Sequence, residues 1–217
     1  MSERPSRTRA YWSFAAAIVV LAAVWLTMLV GGAGELDRRI YVALYAGHRP
    51  ALVAIARVFT FLGEPTLLIG VSAVAALLLW RTGRGRMGLV LLAVTLTGRI
   101  LSEAQKYWIA RPRPGLEPHL VVVKTSSFPS GHATSSMIFY LALALVLAGH
   151  SRWRSAAPAA AIILSLLIGT SRVMLGVHWP SDVIGGWAFG LLWVLLTLRP
   201  AEQLLYSDTA TDQTALS

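Results

Sequence analysis

Six apolar runs of about 16 to 23 residues each dominate this chain, near 11–30, 65–80, 87–109, 133–149, 156–174 and 183–198. A hydrocarbon core ~30 Å thick is crossed by roughly 20 helical residues, so runs of this length predict transmembrane helices. Inside a bilayer the backbone must satisfy its own hydrogen bonds, which an isolated strand cannot do. The expected fold is therefore all-α: a polytopic membrane protein with six transmembrane helices in a bundle. The composition agrees, because 56% of the 217 residues are hydrophobic and 13% are charged, about half the charge of an ordinary soluble domain. No repeat or linker divides the chain. Residues 1–200 read as a single domain, and 201–217, with Glu202, Asp208 and Asp212 among Thr, Ser and Gln, read as a polar, flexible tail.

Two shorter segments are amphipathic or interrupted. Residues 36–46 alternate Leu36, Ile40, Ala43 and Leu44 with Asp37, Arg38 and Arg39 at helical spacing, which predicts an interfacial helix. Residues 49–62 are apolar but carry Arg57; they either extend the second span or form a short interfacial helix, and the latter is the expectation. The first run follows Arg4, Arg7 and Arg9 and precedes a stretch of small residues, as a signal sequence would. Its apolar core exceeds the ~7–15 residues of such a signal, so an uncleaved anchor is expected. The absence of cysteine excludes disulfides and thiolate metal sites.

Arginines in short connections set orientation. Arg4, Arg7 and Arg9, then Arg81, Arg84 and Arg86, then Arg152 and Arg154, with Arg199, all fall on one side of a six-span topology, assigned to the cytoplasm. The other side holds Arg38, Arg39, Arg49, Arg57, Arg111, Arg113 and Lys124, but its cations are less concentrated in tight turns. The net charge of +9 is used by these signals and by the polar clusters described next, so no nucleic-acid partner is expected.

Three polar clusters stand at the edges of apolar runs, all on the outer side of that topology. An isolated charge at the centre of a spanning helix costs ~2.5 to 3.5 kcal/mol, so cations placed against hydrocarbon are expected to share a purpose. Lys106, Arg111-Pro112 and Arg113-Pro114 put cations on a segment stiffened by proline, suited to phosphate oxygens. Pro129-Ser130-Gly131-His132 precedes the fourth run, as at a helix N-terminus whose free amides face an anion. Ser130 adds a hydroxyl donor, and His132 titrates near neutrality and can give a proton to a leaving oxygen. Ser171-Arg172, His178 and Asp182 form the third cluster. An imidazole that attacks phosphorus must be neutral and fixed in one tautomer, and a carboxylate four residues away can do both. Pro180 intervenes, so the pair is expected to straddle a helix start. Glu103 shares a helix face with Arg99 and Lys106 and reads as a neutralising neighbour.

The order and spacing of these residues, from Lys106 through Arg113-Pro114 and Pro129-Ser130-Gly131-His132 to Ser171-Arg172, His178 and Asp182, resemble the three-part signature of the type 2 phosphatidic acid phosphatases. The resemblance covers roughly 60–200. It implies that His178 is a nucleophile forming a phosphohistidine, that Asp182 orients it, and that His132 protonates the leaving group. Lys106, Arg113, Ser130, Gly131 and Arg172 would hold the phosphoryl oxygens. It also implies a metal-independent reaction without a cofactor. Arg111 is outside the signature and is treated as secondary; His48, His119 and His150 read as surface residues.

The implied activity is hydrolysis of the phosphate monoester or diphosphate of a lipid (undecaprenyl diphosphate, phosphatidylglycerophosphate or phosphatidate) at the outer face of the cytoplasmic membrane. A non-enzymatic lipid transporter and a vanadate-type haloperoxidase on the same scaffold are the alternatives. Leu116 and Leu120 to Val123 are expected to pack on their own helices more than on lipid. Gly186 and Gly190 have the spacing of closely packed spanning helices, within the chain or across a homodimer.

Overall fold

The computed structural model describes residues 7–149 and 151–214, so His150 lies outside the described residues. Within them the order is α1 (Arg7–Gly31), α2 (Glu35–Leu44), α3 (Pro50–Leu62), α4 (Pro65–Arg81), α5 (Gly85–Ile109), α6 (Gly131–Ala148), α7 (Ala156–Met174) and α8 (Pro180–Thr214), with no strand among the described residues. Five helices are long and apolar enough to cross a membrane: α1 over Tyr11–Gly31, α5, α6, α7, and α8 over Pro180–Leu198. α4, at 17 residues, meets the criterion only together with α3, from which it is bent by 45°. Counted as one span, this broken pair makes the sixth.

The break has a local cause. Pro65 opens α4 and has no N–H to donate to the preceding turn, and the residue before a proline is driven out of the helical region. Glu64 accordingly adopts φ −61°, ψ 117°, and its carboxylate caps the amide of Thr66. Segment 49–62 is thus a separate helix, as expected, but it is continuous with the second span through this break and packs on α7.

α6 is the hub of the bundle, packed by α4, α5, α7 and α8, while α1 sits outside against α8. The principal core joins Leu79, Leu91, Val94, Ile138, Leu141, Val146, Val194 and Leu198 from α4, α5, α6 and α8. Lipid tails are as apolar as leucine, so close fit rather than water exclusion must hold such helices together. Gly186 and Gly190 provide that fit. A Cβ at Gly190 would lie 2.9 Å from the Met137 Cβ, and one at Gly186 3.0 Å from the Ser130 carbonyl. Their spacing is therefore used within the chain, between α8 and α6.

Exposed aromatic rings mark both ends of the bundle. Tyr11, Trp12, Trp80 and Trp153 lie at one end and Tyr107 and Trp108 at the other, where amphipathic rings meet head groups. One expectation needs correction. Asp37 belongs to the polar half of α2 in sequence yet is buried, because it accepts hydrogen bonds from the amide and hydroxyl of Ser181. The backbone of α8 runs as helix through Thr214, into the polar segment that begins at residue 201.

Gly190→Leu is expected to wedge α8 from α6 and lower stability by ~1–3 kcal/mol, whereas Val19→Leu on the exposed face of α1 should be neutral; thermal unfolding in detergent measures both.

Candidate active site

Five chain segments converge at the end of the bundle marked by Tyr107 and Trp108: the break between α3 and α4, the end of α5 with the irregular stretch 110–130, the start of α6, the end of α7, and the connection 175–179 into α8. Ala110 ends α5 in the left-handed conformation (φ 46°, ψ 34°), and the chain then runs through Pro112 and Pro114 without forming helix. A cavity of about 230 Å³ opens here, lined by Glu64, Arg99, Glu103, Lys106, Arg113, Gly131, His132, Arg172 and His178. The three sequence clusters thus meet in one place.

His178 is fully enclosed, and its two nitrogens face opposite ways. Nε2 lies 3.2 Å from the Arg113 guanidinium. Arginine can only donate, so Nε2 is the lone-pair nitrogen and the proton resides on Nδ1. Nδ1 lies 3.4 Å from Asp182 Oδ2 and 3.4 Å from the Ser127 hydroxyl. These are long contacts of the kind that tighten when a site is occupied. Burial, then the positive fields of Lys106, Arg113, Arg172 and His132, holds the His178 imidazole well below its ordinary range. At neutral pH it is an unprotonated base aimed at the cations.

Asp182 stands at the first turn of α8, where a helix N-terminus favours negative charge. Oδ2 accepts from the Trp179 amide at 2.9 Å and from the Ser127 hydroxyl. Oδ1 accepts from Arg111 at 2.8 Å in a fully buried ion pair. Sequence reasoning set Arg111 aside as secondary, and this is corrected: Arg111 is buried and is the sole cation paired with Asp182 among the described residues. A carboxylate withdrawn from water needs an opposite charge, and motif spacing does not reveal which one supplies it.

The remaining cations frame the cavity. Lys106 is buried and donates to the Ser126 carbonyl at 3.0 Å. Arg113 donates to the carbonyls of Thr125 and Val177 while keeping its contact with His178. Arg172 donates to Thr60 through one amino group, and its Nε has no partner. Ser130 is the N-cap of α6, and its buried hydroxyl is likewise unpartnered. Buried donors are almost always satisfied. Orphans on Ser130 and Arg172, beside the unbonded first amides of α6, suit an acceptor such as a phosphoryl oxygen.

His132 Nε2 lies 3.3 Å from Glu64 Oε2. Glu64 was missed by sequence reasoning, although a carboxylate in the apolar stretch before Pro65 was a signal. Glu103 pairs with Arg99 at 2.8 Å, in keeping with a neutralising role. Leu120, Val121 and Val123 pack on buried Ala56, Leu175 and Val177, whereas Val122 is exposed at the cavity mouth. His48 and His119 are exposed and outside the site.

Because His178 is neutral well below ordinary imidazole values, the acid limb of kcat/KM is expected below pH ~6.5. The sign follows from protonation: acid places a proton on His178 and removes the Nε2 lone pair that attacks phosphorus. A pH–rate profile on a substrate of fixed charge measures the limb.

Comparison with known proteins agrees with this geometry. Residues 87–204 match the family model of the PAP2 superfamily. The chain is 33% identical over 178 residues to phosphatidylglycerophosphatase B of Bacillus subtilis, covering 80% of this chain and 86% of that protein. It is 34% identical over 176 residues to a lipid A 1-phosphatase of Rhizobium etli, covering 70% and 73%. The crystal structure of a transmembrane PAP2-type phosphatidylglycerolphosphate phosphatase from Bacillus subtilis superposes with a TM-score of 0.77 at 30% identity, covering 86% of this chain and 96% of that one. With the matched segment holding every cation and histidine that lines the cavity, and with five helices long and apolar enough to cross a membrane, the chain belongs to the PAP2 superfamily as a multi-pass membrane protein.

Proposed function

We propose that the protein is a lipid phosphate phosphatase working through a phosphohistidine on His178. The observation that carries this reading is the arrangement of His178: one nitrogen free of protons beside Arg113 in the cavity, the other against Asp182. Nε2 attacks phosphorus, the bond from phosphorus to the lipid oxygen breaks, and His132 gives that oxygen its proton. The lipid alcohol leaves. Water, deprotonated by the same His132, then attacks the phosphohistidine and releases inorganic phosphate, returning His178 to its starting state. Lys106, Arg113 and Arg172, the Ser130 hydroxyl and the Gly131 amide hold the equatorial oxygens, the main demand of phosphoryl transfer.

Asp182 keeps the proton of His178 on Nδ1 and stabilises the imidazole as it becomes cationic. Glu64 stands against His132, 3.3 Å from its Nε2, where it fixes the orientation of the imidazole. The cavity, at about 230 Å³, has room for the phosphoryl group and its nearest substituents, leaving the hydrocarbon chains outside in the bilayer. Of phosphatidylglycerophosphate, phosphatidate and undecaprenyl diphosphate, the first is favoured by similarity to the Bacillus phosphatidylglycerophosphatase over most of both chains. Arg81, Arg84, Arg86, Arg152 and Arg154 occupy the end of the bundle opposite the cavity. By the positive-inside rule this arrangement supports a cavity on the outer side of the cytoplasmic membrane.

His178→Ala is expected to insert normally and to lose phosphate release by at least ~10³-fold in kcat. Release from a panel of these lipids, assayed in chelator, is the measurement; full turnover by the variant would sink the mechanism, and metal-dependent turnover would sink the cofactor-free reading.

A further inference from the structure

Arg111 makes more of its surroundings than any motif requires. One amino group donates to Asp182 Oδ1 at 2.8 Å and to the Ser181 hydroxyl at 3.2 Å. The other donates to the carbonyls of Met28 at 2.8 Å and Leu29 at 2.7 Å, in the last turn of α1. The guanidinium lies 4.3 Å from the centre of the Phe128 ring, the residue next to Pro129. Gly32 faces it so closely that a Cβ there would fall 2.3 Å from one amino nitrogen and 2.5 Å from the central carbon. On the far side, Asp37 of α2 accepts from the Ser181 amide at 2.9 Å and from the Ser181 hydroxyl, which in turn accepts from Arg111. A chain of polar contacts therefore runs from α2 and the end of α1 to the carboxylate behind His178.

We infer that Arg111 is a positioning residue of the reaction, fixed by the α1–α2 corner at Met28, Leu29, Gly32 and Asp37, and that through it this corner sets the aim and charge of Asp182 toward His178. The corner precedes the segment matched by the family model, residues 87–204, whereas Arg111 and Asp182 lie within it. A purely structural arginine would need only to satisfy carbonyls. Here the same fork that closes the end of α1 also holds Oδ1, leaving Oδ2 for the Nδ1 side of His178. Planar, bidentate geometry makes lysine a poor replacement.

The inference rests on the phosphohistidine reading and predicts a change that misfolding does not produce. The groups facing the pair are Arg111 and Asp37 from the corner, Lys106 from α5, Arg113 from the connection, His132 from α6 and Arg172 from α7. Without Arg111, the carboxylate loses its only paired cation, and the His178–Asp182 unit keeps a proton to higher pH. The acid limb of kcat/KM therefore moves up, the direction that adding negative charge near an imidazole requires.

The test compares wild type, R111Q, R111K and G32A, each purified in detergent and checked for a monodisperse elution profile. Phosphate release is followed against pH on one lipid monophosphate. R111Q is expected to lower kcat ~10- to 100-fold with KM changed less than about threefold. Its acid limb should rise by about one pH unit. R111K should restore part of the limb position and little of kcat. G32A keeps the charge but displaces the fork, so it should lower kcat with a smaller rise in the limb. Wild-type kcat and limb in both R111Q and G32A overturn the inference while leaving the phosphatase reading intact. A lowered kcat with an unmoved limb in every variant also overturns it, since that is the pattern of a structural role. If R111Q does not elute as a single species, G32A decides by the same two criteria. Absence of phosphate release by wild type would instead overturn the underlying reading.

Discussion

A carboxylate with no contact with solvent, at the foot of a helix that runs into hydrocarbon, is the constraint around which one end of this bundle is built. Asp182 is fully buried and receives the Trp179 amide, the Ser127 hydroxyl and the Arg111 guanidinium. Leaving such a charge without a partner costs several kcal/mol, far more than a typical neutral hydrogen bond returns. The neighbouring structure is arranged accordingly. The end of α1 supplies two carbonyls to Arg111, Gly32 makes room for it, and α2 supplies Asp37 to Ser181 beside it.

The opposite balance holds on the other side of His178. Lys106, Arg113 and Arg172 line a cavity whose carboxylates, Glu64 and Glu103, are engaged with His132 and Arg99. Cations this close repel one another, and bringing an anion among them relieves that repulsion at no cost in reorganisation. His178 lies on the boundary between the two regions. Its Nδ1 is turned toward negative charge and its Nε2 toward positive charge, so one imidazole is polarised in the direction that nucleophilic attack on phosphorus requires.

Much of this was legible in the sequence. The apolar runs predict the helices, and the residues at their ends, from Lys106 to Asp182, are those that line the cavity or stand directly behind it. The second span was the least legible, because Pro65 divides an apolar stretch into α3 and α4 and places Glu64 at the bend. Asp37 looked like part of a solvated helix face, and Arg111 like a spare cation beside the motif. Both are buried because each has a partner on α8, a relationship that local hydropathy does not carry.

What the sequence by itself determined is the class of fold and the chemistry on offer: helices long enough to span hydrocarbon, cations and imidazoles at their ends, and an order of motifs that only one family resemblance explained. Those features depend on local spacing and on transfer from water to lipid, which each segment expresses alone. Only the tertiary structure decided which charge answers which. Arg111 and Asp182 are 71 residues apart, and Asp37 and Ser181 are 144 apart. Such pairs depend on the register in which α1, α2 and α8 pack, and that register is set by close fits between helices, as at Gly32 and Gly190, rather than by any single segment's composition.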